Sequence, residues 1–251
     1  MQYHLNSDIR RLAYDQTPGR APGVMFLGGF NSDKSGTKAL YLEDWAKRTG
    51  RAYLRFDYSG HGASSGDPAE GSIGDWYEDA LSILDGLTEG PQILVGSSMG
   101  GWIALLLALR VPAKVAGLVT ISAAPDFTEE KYWSGFTEAE RATLDRDGRI
   151  EIPSDYGDGP YLITKRLIED GRRHLVLAAP LPLPMPARFL HGTADTAIET
   201  TTALRLFNHA TGPDIRLLLV KDADHRFSTP ECLALIGATV ADVAGQSTSS
   251  V

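Results

Sequence analysis

Strands that alternate with helices, most of the strands apolar throughout, predict an α/β protein with a mostly parallel central sheet flanked by helices on both faces. Residues 24–27, 92–96 and 115–122 are short apolar runs of the kind a doubly covered strand requires. The second of these runs straight into Gly96-Ser97-Ser98-Met99-Gly100, and a small-residue helix follows. That is a G-x-S-x-G pattern placed where a strand ends and a helix begins, the context that makes the serine a candidate nucleophile rather than part of an ordinary glycine turn.

In chain order, 3–14 holds short strand candidates such as 9–14, and Thr17-Pro18-Gly19 and Pro22-Gly23 mark turns. Strand 24–27 ends at Gly28-Gly29. A helix is expected over 37–48, with Leu40, Trp45 and Ala46 on its inner face and Gly50 as its stop. Strand 52–56 leads into Asp57-Tyr58-Ser59-Gly60-His61-Gly62, and a helix over 73–87 keeps Trp76, Ala80, Ile83, Leu84 and Leu87 at helical spacing. Strand 92–96, helix 99–110 and strand 115–122 follow. The alternation then breaks. Between 126 and 186 stand an acidic helix (138–145), loops around Gly148 and 157–160, a helix near 161–170, and an extended leader at 181–186. About sixty residues between two sheet strands is long for a connection, and this segment is expected to be a lid or cap. Strand 187–190, helix 199–210, strand 215–220 and helix 230–243 complete the chain. The expected organisation is a core of 1–125 and 187–245, a lid at 126–186, and a flexible Ser/Thr-rich tail at 246–251.

Composition narrows the function. The 251-residue chain is 43% hydrophobic and 22% charged, with a formal net charge of −8 and no run of Lys or Arg, which argues against nucleic acid as a partner. The single cysteine, Cys232, excludes an intrachain disulfide and a cysteine metal cluster. The histidines are scattered without H-E-x-x-H or paired-ligand spacing, so neither a metal nor a cofactor is expected. Residues 1–14 lack the apolar core of a signal peptide, and no apolar stretch approaches the ~18 residues of a membrane span. A cytoplasmic protein is the expectation.

A serine hydroxyl needs a base within reach and an acid to orient that base. Of six histidines, His225 stands in the loop after the last strand, which opens on the carboxyl edge of a parallel sheet, as the Ser98 turn does. Asp195, after strand 187–190, is the preferred acid; Asp126, after strand 115–122, is its rival, and Asp57 is a weaker choice. The order Ser98, Asp195, His225 is the one associated with this sheet architecture. Acyl transfer also needs two oxyanion donors, for which the backbone N–H groups of Met99, opening the helix, and of Phe30, after two glycines, are suitable. Tyr132, Trp133, Phe136 and the 181–185 run are candidates for lining an acyl pocket, with plain packing as the alternative.

With these residues in hand, the chain resembles the α/β-hydrolase superfamily of serine hydrolases from 24 to about 243. Asp57-Tyr58-Ser59-Gly60-His61-Gly62-Ala63-Ser64 is similar to its D-x-x-G-x-G-x-S turn, and His191-Gly192-Thr193-Ala194-Asp195 to its acid-bearing segment. A closer resemblance, carried by 30–39, Arg55-Phe56-Asp57-Tyr58-Ser59-Gly60, 90–98, Gly100-Gly101-Trp102 and Asp224-His225-Arg226, is to mitochondrial α/β-hydrolase-domain proteins known as palmitoyl-protein thioesterases and acyl-glucuronide esterases. The resemblance implies cofactor-free hydrolysis of a small-molecule or acyl-protein ester or thioester through Ser98, Asp195 and His225. The short lead before the first strand and the weak match of 126–186 depart from that subfamily. They favour a cytoplasmic relative and leave the substrate open. An amidase or C–C bond hydrolase on the same residues, or a non-catalytic module on the same fold, are the alternatives.

Overall fold

In the computed structural model, which describes residues 2–153 and 159–247, eight strands form one sheet in the order β1-β2-β4-β3-β5-β6-β10-β12. These are β1 (Gln2–Leu5), β2 (Arg11–Thr17), β3 (Arg20–Leu27), β4 (Arg51–Phe56), β5 (Gln92–Ser97), β6 (Val115–Ile121), β10 (Ala187–Gly192) and β12 (Ile215–Val220). From β4 to β12 all pairings are parallel; β1 and β2 add an antiparallel edge. Successive side chains of the central strands point to opposite faces, and both faces are apolar. Met25, Leu94, Leu118 and Phe189 enter one core, while Val24, Phe26, Ile93, Val95, Val119 and Leu190 enter the other. Hence these strands read as continuous hydrophobic runs.

Helices α1 (Thr37–Thr49) and α7 (Pro230–Ser247) cover the second face, and α2 (Ile73–Leu87) and α3 (Met99–Arg110) the first. In α2 the buried residues Ile73, Trp76, Tyr77, Ala80, Ile83 and Leu84 form a single stripe, and Ser72 caps its N-terminus by accepting from the Asp75 N–H. In α3 every residue from Met99 to Ala108 is buried, because this helix lies between the sheet, α2 and the excursion that follows β6. It has no polar face to show.

The excursion between β6 and β10 has its own structure. A π-helical turn (Thr128–Trp133) precedes α4 (Glu138–Asp147), whose start carries a reciprocal Thr137–Glu140 capping box. A hairpin of β7 (Arg149–Ile152) and β8 (Tyr161–Thr164) leads to α5 (Lys165–Gly171). The return path adds β9 (Leu181–Pro182), which pairs in parallel with β11 (Ala210–Thr211) just after α6 (Thr200–His209).

Four local expectations change. Leu40 faces solvent at 43% exposure, and the inner face of α1 is Ala39, Leu42, Trp45 and Ala46. Pro22-Gly23 makes no turn; it lies inside β3, where the register with β4 shifts between Arg20 and Val24. Residues 161–164 are strand, not helix, because they pair with 149–152. The expected tail begins inside α7, which extends to Ser247; 248–251 lie outside the described residues, as does part of the expected 157–160 loop. No helix among the described residues is long and apolar enough to cross a membrane.

Trp102 ties the excursion to the core. Its ring is fully buried, sits edge-on to Phe127 at 5.5 Å, and donates from Nε1 to the His174 carbonyl at 3.0 Å. Trp102→Ala should lower the unfolding free energy by about 3–5 kcal/mol, measured by urea denaturation.

Candidate active site

Ser98 occupies the corner between β5 and α3 with φ 54° and ψ −119°. The corner closes because its flanking residues have no side chains: a Cβ on Gly96 would strike the Gly100 carbonyl, and one on Gly100 the Leu27 carbonyl. Three backbone hydrogen bonds hold it. Ser98 N–H donates to Ile121 at 2.9 Å, and the Ser98 carbonyl accepts from Gly101 (2.9 Å) and Ala124 (3.1 Å).

The Ser98 hydroxyl meets His225. Oγ lies 3.2 Å from Nε2, and Nδ1 lies 2.7 Å from Asp195 Oδ2. The other carboxylate oxygen of Asp195 accepts from the N–H groups of Ala197 (2.9 Å) and Ile198 (2.8 Å). The loops after β10 and β12 that carry this pair are themselves joined. Thr193 N–H donates to the Val220 carbonyl, Ala194 N–H to Ala223, and Asp222 N–H to the Thr193 hydroxyl. The register of two adjacent parallel strands therefore sets the distance between acid and imidazole.

Burial pushes the Asp195 carboxyl upward in pKa, but the hydrogen bond and charge of His225, with the Ile198 N–H, outweigh it and hold the group below the usual carboxylate range. The His191 ring is packed against the same carboxylate with Nε2 3.9 Å from Oδ2, too far for a hydrogen bond. Burial lowers the His191 pKa against the opposing charge of Asp195.

Asp126 is not in this constellation. Its two oxygens accept from Val176 (2.8 Å) and Leu177 (2.9 Å), and burial raises its pKa despite those bonds. It anchors the return of the excursion. Asp57 is likewise engaged, by the N–H groups of Lys34 and Ala63. Of the other histidines, His4 contacts Ser82, His174 the Asp170 carbonyl and His209 the Ala179 carbonyl.

Beside Ser98 opens a cavity of about 540 Å³, within the range of ~300–1,000 Å³ typical of small-molecule sites. Phe30 and Met99 both line it, and among the described residues neither backbone N–H donates to another acceptor. Its apolar wall is Phe127, Tyr132, Ile152, Pro153, Tyr161 and Ile198; Lys38, Lys131 and Arg226 also line it. Of the three aromatic residues expected to line a pocket, only Tyr132 does so. Phe136 stacks on Tyr132 from behind, with ring centroids 6.3 Å apart. Trp133 lies against the guanidinium groups of Arg141 (5.0 Å) and Arg172 (4.5 Å). Leu181, Leu183 and Met185 belong to the core. Phe127, Ile152 and Tyr161 were missed in the sequence; the apolar alternation of Ile150 and Ile152 was the signal for the hairpin that brings two of them in.

The Asp195 shift has a stability consequence. Its folded pKa lies below the unfolded value of about 3.9, so its stabilisation is complete above that value and is lost as pH falls through the folded pKa. Asp195→Asn should be less stable than the native chain at pH 6, with the gap narrowing towards pH 3; urea titrations at the two pH values measure it.

Residues 24–236 match the alpha/beta hydrolase family. The chain is 38% identical over 237 residues to the mitochondrial palmitoyl-protein thioesterase ABHD10 of Rattus norvegicus, covering 94% of this chain and 80% of the rat protein. The structure of mouse alpha/beta hydrolase domain-containing protein 10 superposes with a TM-score of 0.91 at 35% identity, covering 98% of both chains. A putative hydrolase from Agrobacterium vitis S4 gives the same TM-score at 39% identity over 97% of both. The ABHD10 relatives are mitochondrial, which overturns the cytoplasmic expectation. That expectation rested on the missing apolar signal-peptide core in residues 1–14, which tests for secretion and not for mitochondrial import, whose leaders are amphipathic and Arg-rich. The chain belongs to the alpha/beta hydrolase family and is a serine hydrolase of the esterase and thioesterase type, closely related to ABHD10.

Proposed function

We propose that Ser98, His225 and Asp195 carry out a two-step acyl transfer to water, with the Phe30 and Met99 N–H groups as the oxyanion hole. The observation that carries this reading is the single imidazole hydrogen-bonded on one side to Ser98 and on the other to a buried carboxylate, at the wall of a cavity. His225 Nε2 takes the Ser98 proton as Oγ attacks the carbonyl carbon, and the C=O electron pair moves to oxygen. The N–H groups of Phe30 and Met99 hold that charge, helped at Met99 by the start of α3. His225 then gives its proton to the departing alkoxide or thiolate, leaving the acyl group on Ser98. Water, deprotonated by the same imidazole, releases the acid and restores the hydroxyl. Asp195 keeps the ring oriented and balances its transient charge.

The excursion over 126–186 acts as a lid in this reading, because Phe127, Tyr132, Ile152 and Tyr161 all reach the cavity from it. Their apolar surface suits an acyl chain. Lys38, Lys131 and Arg226 suit a leaving group that carries negative charge or the polar surface of a protein. With relatives named palmitoyl-protein thioesterases, a long-chain acyl thioester, on protein or small molecule, is the substrate class favoured here, and acyl glucuronides come second.

Ser98→Ala should lower kcat on aryl esters by about 10⁶-fold in a folded protein and abolish labelling by a fluorophosphonate. A series of acyl esters, thioesters and glucuronides from two to sixteen carbons should show kcat/KM rising with chain length. Rapid hydrolysis of acetyl esters with none of longer chains would count against the acyl pocket.

A further inference from the structure

The turn after β4 is not absorbed by the chemistry so far, yet it grips the segment that presents Phe30. That segment leaves the sheet at Gly28 and doubles back through a Ser32 N–H bond to the Gly29 carbonyl (3.1 Å), with Asn31 in a left-handed conformation at φ 55°. Two side chains from residues 57–64 hold its backbone. Asp57 Oδ1 accepts from the Lys34 N–H at 2.5 Å, and His61 Nε2 lies 3.2 Å from the Asn31 nitrogen.

The second contact fixes the state of His61. A backbone N–H only donates, so Nε2 must present its lone pair to Asn31, and the ring proton must sit on Nδ1. Nδ1 is 3.1 Å from the Ser59 carbonyl, which accepts that proton. Both neighbours thus select one neutral tautomer. The ring is 4% exposed and lies edge-on to Trp76 at 5.2 Å, Tyr58 at 5.8 Å and Phe30 at 6.4 Å. Burial pushes its pKa down against the opposing effects of the Ser59 carbonyl and Asp57, which keeps the lone pair available.

The Asn31 N–H belongs to the peptide that follows Phe30. Fixing that peptide plane, while the Phe30 ring packs on His61, Trp76, Phe127 and Tyr161, leaves the Phe30 N–H little freedom of direction. We infer that His61 is a positioning residue for the oxyanion hole, acting through the Asn31 N–H to hold the Phe30 N–H aimed at the reacting carbonyl. The inference rests on the reading of the Phe30 N–H as an oxyanion donor.

The test compares His61→Phe, which keeps an aromatic ring and removes the acceptor, with His61→Gln, which restores an acceptor to the same region. Active sites are counted by fluorophosphonate titration run to completion, so that misfolded protein drops out. Steady-state constants on a p-nitrophenyl ester and the inhibition constant of a trifluoromethyl ketone, whose adduct places an oxyanion in the hole, are then measured per titrated site. Losing one oxyanion donor outright typically costs about 10²–10³ in kcat. His61→Phe should therefore lose at least about tenfold in kcat with KM within about threefold of the native value, and the ketone should weaken by the same factor as kcat/KM. His61→Gln should recover most of both.

A His61→Phe protein with native kcat per titrated site, or with a defect confined to KM, would overturn the inference. So would equal impairment of His61→Gln. Phe30→Pro, which deletes the N–H, and Phe30→Ala, which deletes only the ring, separate this from the parent reading. A Phe30→Pro defect well beyond that of Phe30→Ala, beside a silent His61→Phe, overturns the role of His61 alone. If Phe30→Pro is no worse than Phe30→Ala, the donor reading falls and takes the inference with it.

Discussion

The strained corner at Ser98 is the constraint on which the rest of the molecule depends. A positive φ at a residue with a side chain costs on the order of 1–3 kcal/mol and persists only where the surroundings over-determine it. Here β6 supplies the Ile121 carbonyl to one side of the corner, and the first turn of α3 and Ala124 supply N–H donors to the other. Helix α3 is driven into this position by burial of its entire circumference, Trp102 included. The glycines at 96 and 100 permit the close approach that burial demands, and the same approach leaves the hydroxyl standing at the carboxyl edge of the sheet. Packing of the helix and exposure of the Ser98 hydroxyl are two results of one constraint.

Parallel strand register then does the remaining placement. Loops after β10 and β12 leave the same edge of the sheet one strand apart, and their mutual hydrogen bonds leave a single imidazole able to span Ser98 and Asp195. The Asp195 carboxylate is buried but saturated by His225, Ala197 and Ile198, which is why its pKa lies below the usual carboxylate range although desolvation alone would raise it. The excursion after β6 closes the other side. Asp126, a plausible acid by position, is spent on tethering the excursion's return, so two carboxylates of similar sequence context have separate structural assignments.

Most of the core was legible in the sequence because a doubly covered parallel sheet writes itself as short apolar runs between helical stripes, and its chemistry falls on the carboxyl-edge loops. The elements that could not be read are those whose pattern is decided by partners far away. Tyr161 begins a strand only because 149–152 lies opposite, and the short alternation of Ile150 and Ile152 is too slight to reveal that pairing without its partner. Leu40 stands five residues before Trp45, about 140° away around the helix, so it falls outside the inner arc of α1 that faces α7 and the sheet, and Leu42 takes its place. Trp133 neighbours Tyr132 in sequence, but a π-helical turn sends the two rings in different directions: one to the cavity, the other to Arg141 and Arg172. Side chains that line a site from an irregular segment are the last features a pattern can locate.

The most direct measurement is a crystal structure of the protein after reaction with a fluorophosphonate. The account predicts phosphorus bonded to Ser98 Oγ, with the phosphoryl oxygen about 2.7–3.1 Å from the backbone nitrogens of Phe30 and Met99 and the alkyl chain against Phe127, Tyr132 and Tyr161. Phosphorus on any other side chain, or a phosphoryl oxygen turned away from both N–H groups, would contradict it.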